Sequence, residues 1–195
     1  MPALAEGGHE LTVAVNLSVR NLMDRQLPKD VARLLEKHSL SSDRLELEIT
    51  ESMVMSEPRR ALAVLTELSD MGIALSIDDF GTGYSSRAYL KKLPVQAIKI
   101  DKSFVMDMIE DPGNAMIVHS TVDLGQNLGL KVVAEGVESE EAWHRLAAMG
   151  CDTAQGFFLA KPLPVEELMS FILGRAPAMD EAPRTYAAPQ PLRAV

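Results

Sequence analysis

Cysteine is nearly absent: Cys151 stands alone in 195 residues, which excludes an internal disulfide framework and a thiolate metal cluster and fits a reducing compartment. Cys151 itself reads as a small buried residue. No apolar stretch approaches the roughly 20 residues of a membrane span, and the N-terminus lacks the basic-then-apolar pattern of a signal peptide. The expected location is the cytoplasm. Positive charge is also in deficit. A formal net charge of −9 leaves no basic surface for a sequence-independent grip on DNA or RNA. A phosphate ligand would need another attraction, and bound cations supply one by reversing the electrostatics of an acidic site. With 47% hydrophobic and 24% charged residues, the chain is neither disordered nor fibrous and reads as one globular domain with a buried core.

What the sequence does contain is a repeated alternation of short β-rich runs and amphipathic helical stretches. Strands are expected over 12–19, 45–50, 74–79, 97–101, 131–135 and 153–159. Helices are expected over 28–39, 58–71, 85–93, 112–128, 139–149 and 164–173. Pro28 suits a first helical position, and Gly72, Gly129 and Gly150 follow the ends of three of these helices. Strand followed by helix six times over signifies an α/β protein with a mostly parallel sheet. The strands read as apolar on both faces, as a helix-covered sheet requires. Residues 1–10 are expected to be disordered, as is the Ala- and Pro-rich tail 174–195.

Polar residues interrupt the strands at one end. Asn16, Glu48, the adjacent pair Asp78 and Asp79, Lys99 with Asp101, Glu135 and Gln155 all fall in or near the C-terminal half of a strand. That is the rim where parallel barrels and open α/β sheets carry their sites. Any one of them alone reads as a solvated edge residue. Repetition over six strands is what points to a site, because buried carboxylates cost several kcal/mol unless paired or bound to metal. The carboxylates and the amide form a hard-oxygen set suited to Mg²⁺ or Mn²⁺. His9, His38, His119 and His144 lie in the N-terminal tail or in expected helices, away from the rim.

Adjacent strand residues face opposite ways. If Asp78 and Asp79 serve one site, the chain must leave regular strand geometry at the second acid, and Gly81-Thr82-Gly83 permits the turn. Such a pair can let one carboxylate bridge two cations, as in two-metal phosphoester hydrolysis. Lys99 either holds an attacking water, or neutralises charge developing on a phosphate, or is an ordinary ion pair with one of the acids. Asp101, two residues on, is expected to share its face and orient it.

Asn16-Leu17-Ser18, Glu48-Ile49-Thr50-Glu51, Asp78-Asp79-Phe80-Gly81-Thr82-Gly83-Tyr84-Ser85-Ser86, Lys99-Ile100-Asp101, Ala134-Glu135-Gly136-Val137-Glu138 and Gln155-Gly156-Phe157 resemble, in order and spacing, the motifs of EAL domains. The resemblance runs over 11–173. It implies a cyclic di-GMP phosphodiesterase that opens its substrate to linear pGpG with two Mg²⁺ or Mn²⁺ ions. Carried over by position, Asn16, Glu48 and Asp78 would hold one ion, and Asp78, Asp79 and Glu135 the other. Lys99 would position the water and Glu135 would help activate it. Gln155 and Arg20 would bind substrate, Asp101 would support the site, and Glu51 would anchor the loop after Asp79.

Three departures accompany the resemblance. The family's Glu-Ala-Leu motif should lie some fifty residues before Asn16, so one metal-ligand glutamate has no counterpart here. About six of the eight units of a (β/α)₈ TIM-type barrel are present, so the expected fold is an incomplete barrel with open edges at 12–19 and 153–159. Arg87 also stands where the family usually has an apolar residue. A fragment of a longer gene product is the expectation, with a degenerate domain or completion by a homodimer as alternatives. Two functional classes follow: a phosphodiesterase whose activity is weakened in this chain, or a catalytically inactive module that binds cyclic di-GMP or another protein.

Overall fold

A computed structural model describes residues 11–82, 87–172 and 193–194. The expected disordered ends, 1–10 and 174–195 apart from Arg193–Ala194, lie outside the described residues, as does the side chain of Arg87. In chain order the elements are β1 (Val13–Asn16), α1 (Val19–Leu22), α2 (Leu27–Lys37), a 3₁₀ turn (Ser42–Arg44), β2 (Leu45–Thr50), α3 (Glu51–Ser56), α4 (Pro58–Asp70) and β3 (Ala74–Phe80). There follow α5 (Arg87–Leu90), β4 (Ala97–Ile100), α6 (Lys102–Asp107), α7 (Pro112–Leu128), β5 (Lys131–Glu135), α8 (Glu140–Met149), β6 (Thr153–Gln155), α9 (Val165–Ile172) and β7 (Arg193–Ala194). The strands pair in parallel in the order β1-β2-β3-β4-β5-β6-β7. The first six form a curled half-barrel with helices between them, a partial TIM-type barrel.

The register separates two faces. On one, Leu47, Leu75 and Ile49, Ile77, Ile98, Val132 run across the sheet, followed by Ile100, Ala134 and Ala154, and all are buried. Helix α4 covers this layer with Ala61, Val64, Leu65 and Leu68, spaced three or four residues apart so that they share one stripe. Helix α7 adds Val118 and Val122, and α8 adds Leu146. At roughly 1.5–3 kcal/mol for each large side chain taken from water, this layer supplies the main driving force. The other face carries Glu48, Ser76, Ala97, Lys99, Val133, Glu135, Thr153 and Gln155. This corrects the expectation of strands apolar on both faces: Leu45-Glu46-Leu47-Glu48 alternates because only its leucines meet helices.

Element bounds differ from expectation where capping intervenes. Strand β1 stops at Asn16 because Ser18 caps α1 in a reciprocal pair with Asn21. Strand β6 stops at Gln155. A Cβ on Gly156 would lie 2.2 Å from the Val137 carbonyl oxygen, and the chain turns there, with Leu159 donating to the Gly156 carbonyl at 3.0 Å. The expected open edge at β6 is in part covered by β7, with Thr153 opposite Arg193 and Ala154 opposite Ala194. Cys151 is buried, as expected, with Sγ 3.4 Å from the Val132 carbonyl and 3.3 Å from that of Thr153. Burial pushes its thiol pKa up to about 11. Among the described residues no helix is long and apolar enough to cross a membrane.

Helix α7 lies close on the sheet at Gly125, where a Cβ would fall 2.2 Å from Val132 Cγ2 and 3.4 Å from Ile98 Cδ1. Valine is stiff at χ1, so the neighbour has little room to yield. Gly125→Ala gains about 1 kcal/mol of helix propensity against roughly 1–3 kcal/mol of overpacking. The overpacking is expected to win, lowering the urea midpoint of unfolding. A raised midpoint would contradict the close approach.

Candidate functional site

Strand β3 departs from regular geometry where the sequence suggested. Its register against β4 shifts between Ile77 and Phe80, and Asp79 takes φ = +53°. Aspartate tolerates this left-handed region better than most residues because its short polar side chain can bond the local backbone. Here the Asp79 N–H donates to Asp78 Oδ1 at 3.0 Å. Thr82 steadies the turn, its hydroxyl donating to the Asp79 carbonyl at 2.9 Å. Gly81 sits at φ = +103° against Phe104. Residues 83–86 of this loop lie outside the described residues.

Lys99, on β4, occupies the centre of the polar face. Its Nζ lies 2.6 Å from Glu48 Oε1 on β2, 2.6 Å from Glu135 Oε1 on β5 and 3.7 Å from Asp78 Oδ1 on β3. The residue is only 6% exposed. Burial pulls the ammonium's pKa down, but the hydrogen bonds to Glu135 and Glu48 and the charge of Asp78 outweigh it, so the group is held above the usual lysine value. Glu135 responds mainly to burial, which raises its pKa although Lys99 opposes the shift.

Asp101 corrects an expectation. Strand β4 ends at Ile100, so strand parity no longer relates Asp101 to Lys99. Instead Asp101 caps α6, accepting from the Ser103 N–H at 2.8 Å and from the Ser103 hydroxyl. It also hydrogen-bonds Asp79. Burial, that bond and the charges of Asp78, Asp101 and Glu135 push Asp79 up to about 6. Asp101 is held below the usual value, because the bonds from Ser103 and the shared bond to Asp79 overcome its own burial. Asp79 is thus the member of the pair that takes up a proton first as the pH falls.

The remaining expected residues are dispersed around this centre. Asn16 is opposite Glu48 in the register but exposed on the edge strand. Gln155 is opposite Glu135 and exposed, and Arg20 is exposed on α1. Glu51 opens α3 and is buried, with Oε1 lacking a hydrogen-bond partner among the described residues. It borders a cavity of about 10 Å³ shared with Val54, Met55, Ile77 and Tyr89, close to α5, which follows the loop after Asp79. Ser76 was not anticipated. It is fully buried, its hydroxyl has no partner among the described residues, and it stands opposite Glu48 in the register, two residues before Asp78. The alternation Ser76-Ile77-Asp78 was the available signal, with polar residues two apart.

The donor set fits Mg²⁺ or Mn²⁺ in kind: carboxylates and an amide, with an unpartnered buried hydroxyl on the same face. In arrangement the acids are gathered on the Lys99 ammonium. Among the described residues, no three acidic, histidine or cysteine side chains stand close enough together to hold an ion as they are.

Known proteins share this arrangement of strands and sequence. The EAL domain family matches residues 1–162. The bifunctional diguanylate cyclase/cyclic di-GMP phosphodiesterase MucR of Pseudomonas aeruginosa is 45% identical over 168 residues, covering 86% of this chain and 24% of MucR. The chain therefore spans about a quarter of the length of that relative. The solved MucR phosphodiesterase in complex with c-di-GMP superposes with a TM-score of 0.82 over 85% of this chain and 68% of that one. The calcium and cyclic di-GMP complex of Klebsiella pneumoniae BlrP1 is 32% identical, with a TM-score of 0.74 over 82% of this chain and 41% of its own. With the family matching most of its length and its half-barrel recurring in these structures, the chain belongs to the EAL domain family.

Proposed function

We propose that this chain acts as a metal-dependent phosphodiesterase on cyclic di-GMP, opening it to linear pGpG. The carrying observation is the carboxylate-rich rim of β2, β3 and β5 around Lys99, in a chain 45% identical to a protein named as a cyclic di-GMP phosphodiesterase. Asn16, Glu48 and Asp78 would hold one Mg²⁺ or Mn²⁺, and Asp78, Asp79 and Glu135 a second. When bound, such ions lower the pKa of a water and offset charge on the phosphodiester.

The chain's own residues do the rest. Lys99 Nζ donates to the attacking water or to a phosphate oxygen. Glu135, whose burial favours proton uptake, accepts the water's proton. The water oxygen joins phosphorus, the bond from phosphorus to the 3′ oxygen breaks, and that oxygen leaves with a proton. Arg20 and Gln155 flank the dinucleotide, Arg20 pairing with phosphate and Gln155 bonding through its amide. Glu51 anchors the loop after Asp79, and Asp101 supports the site by binding Asp79. The domain would work in the cytoplasm, alone or as a homodimer.

A second reading, a binder of cyclic di-GMP without turnover, is favoured by Asn16, exposed on the edge strand β1 rather than enclosed beside Glu48. Incubation with cyclic di-GMP and Mn²⁺ separates the two: linear product on chromatography, abolished by a chelator and restored by added metal, is the expected result. Heat of binding without product would favour the second reading instead.

Glu48→Gln keeps the shape and removes the charge. Loss of partners outside the ligand shell already costs about 10–100-fold, so a ligand's loss is expected to lower turnover by roughly a hundredfold or more, with an unchanged circular dichroism spectrum. Turnover within a fewfold of the unsubstituted protein would remove Glu48 from the site.

A further inference from the structure

We infer that Lys99 is a built-in competitor for the cations: its ammonium holds Glu48 and Glu135 together in the metal-free protein, and loading requires it to release at least one of them. The inference rests on the reading of Glu48, Asp78 and Glu135 as cation ligands.

Geometry carries it. Glu48 on β2 and Glu135 on β5 each place Oε1 2.6 Å from one Nζ, although β3 and β4 stand between their strands. The curl of the half-barrel brings these distant strand ends within reach of a single ammonium. Asp78 joins at 3.7 Å, within Coulombic range but beyond a hydrogen bond. Glu48 belongs to one expected ion and Glu135 to the other, so Lys99 contacts both ligand sets at once. Asp79 bonds Asp101 instead, and Asn16 lies exposed on β1. Competition is therefore concentrated at the glutamates.

A cation using those oxygens meets a fixed positive charge already bonded to them. The lysine cannot leave, but its four-carbon stem has rotatable bonds and can swing its ammonium aside. Two consequences follow. The acids remain paired without metal, so the folded site does not depend on loading. The affinity for the ions is set lower than the carboxylates alone would give. By the same Coulomb interaction that moves a neighbouring carboxyl's proton affinity by roughly one to three powers of ten, removing the ammonium should strengthen cation binding by about tenfold or more.

The test uses Mn²⁺ alone, titrated calorimetrically into the metal-stripped full chain and its Lys99→Met variant, with the melting temperature of each recorded before and after. The expected result is a lower metal-free melting temperature for the variant, Mn²⁺ binding at least about tenfold tighter, and a larger rise on loading. Lys99→Arg, which keeps the charge, should bind Mn²⁺ like the unsubstituted chain. A folded Lys99→Met that binds Mn²⁺ no more tightly overturns the competition while leaving the phosphodiesterase reading intact. Absence of Mn²⁺ binding by both proteins overturns the cation sites and the inference with them. Should the variant not fold, the unsubstituted chain decides: the Lys99 Nζ resonance, followed by NMR during Mg²⁺ addition, should shift or exchange faster with solvent in proportion to loading. A resonance unmoved at saturation overturns the inference.

Discussion

One buried ammonium organises the polar side of this half-barrel. Lys99 reaches Glu48 on β2 and Glu135 on β5 at 2.6 Å each and stands 3.7 Å from Asp78 on β3. Without it, acids on three parallel strands would share a largely buried region, each desolvated and repelling the others. Leaving a buried charge uncompensated costs about 3–5 kcal/mol, a large part of the 5–15 kcal/mol that typically separates a folded domain from its unfolded chain. The apolar face can be repacked by the usual exchanges of similar volume. The polar face has no such freedom at its centre, because Glu48, Asp78 and Glu135 are compensated by one ammonium.

The same constraint reaches the backbone. Asp78 keeps strand geometry and faces Lys99, while Asp79 is turned to φ = +53° and is claimed by Asp101, the cap of α6. Two neighbouring acids thereby acquire different environments: one beside a cation, the other against a second carboxyl that raises its pKa. The division is made by a single register shift between Ile77 and Phe80. Helix capping and the site are consequently coupled, since whatever moves α6 moves the partner of Asp79.

Much of this was legible in the sequence, and the failures have identifiable causes. Glu135, an acid closing an apolar run, marked the end of β5, whereas β3 runs two residues past Asp78 to Phe80. Helices α3 and α6 were missed because six residues each are too few to establish a 3.6-residue period. The face of Asp101 was misjudged because parity was carried one residue past the end of β4, where a cap had replaced the strand. An ion pair between Lys99 and one acid was among the readings open from its strand position, but its simultaneous grip on Glu48 and Glu135 depends on sheet curl, which no local pattern encodes. Ser76 was overlooked because one small hydroxyl hardly interrupts an apolar run.

Cys151 has a consequence outside stability and chemistry. It is enclosed by the backbone of β5 and β6, and its thiol is held mostly protonated by a pKa of about 11, so it offers little thiolate to an alkylating reagent. The chain has no other cysteine. A surface thiol introduced by substitution would therefore take up a maleimide fluorophore or nitroxide with little competing background. The natural sequence is already suited to single-site spectroscopy, with no cysteine to remove first.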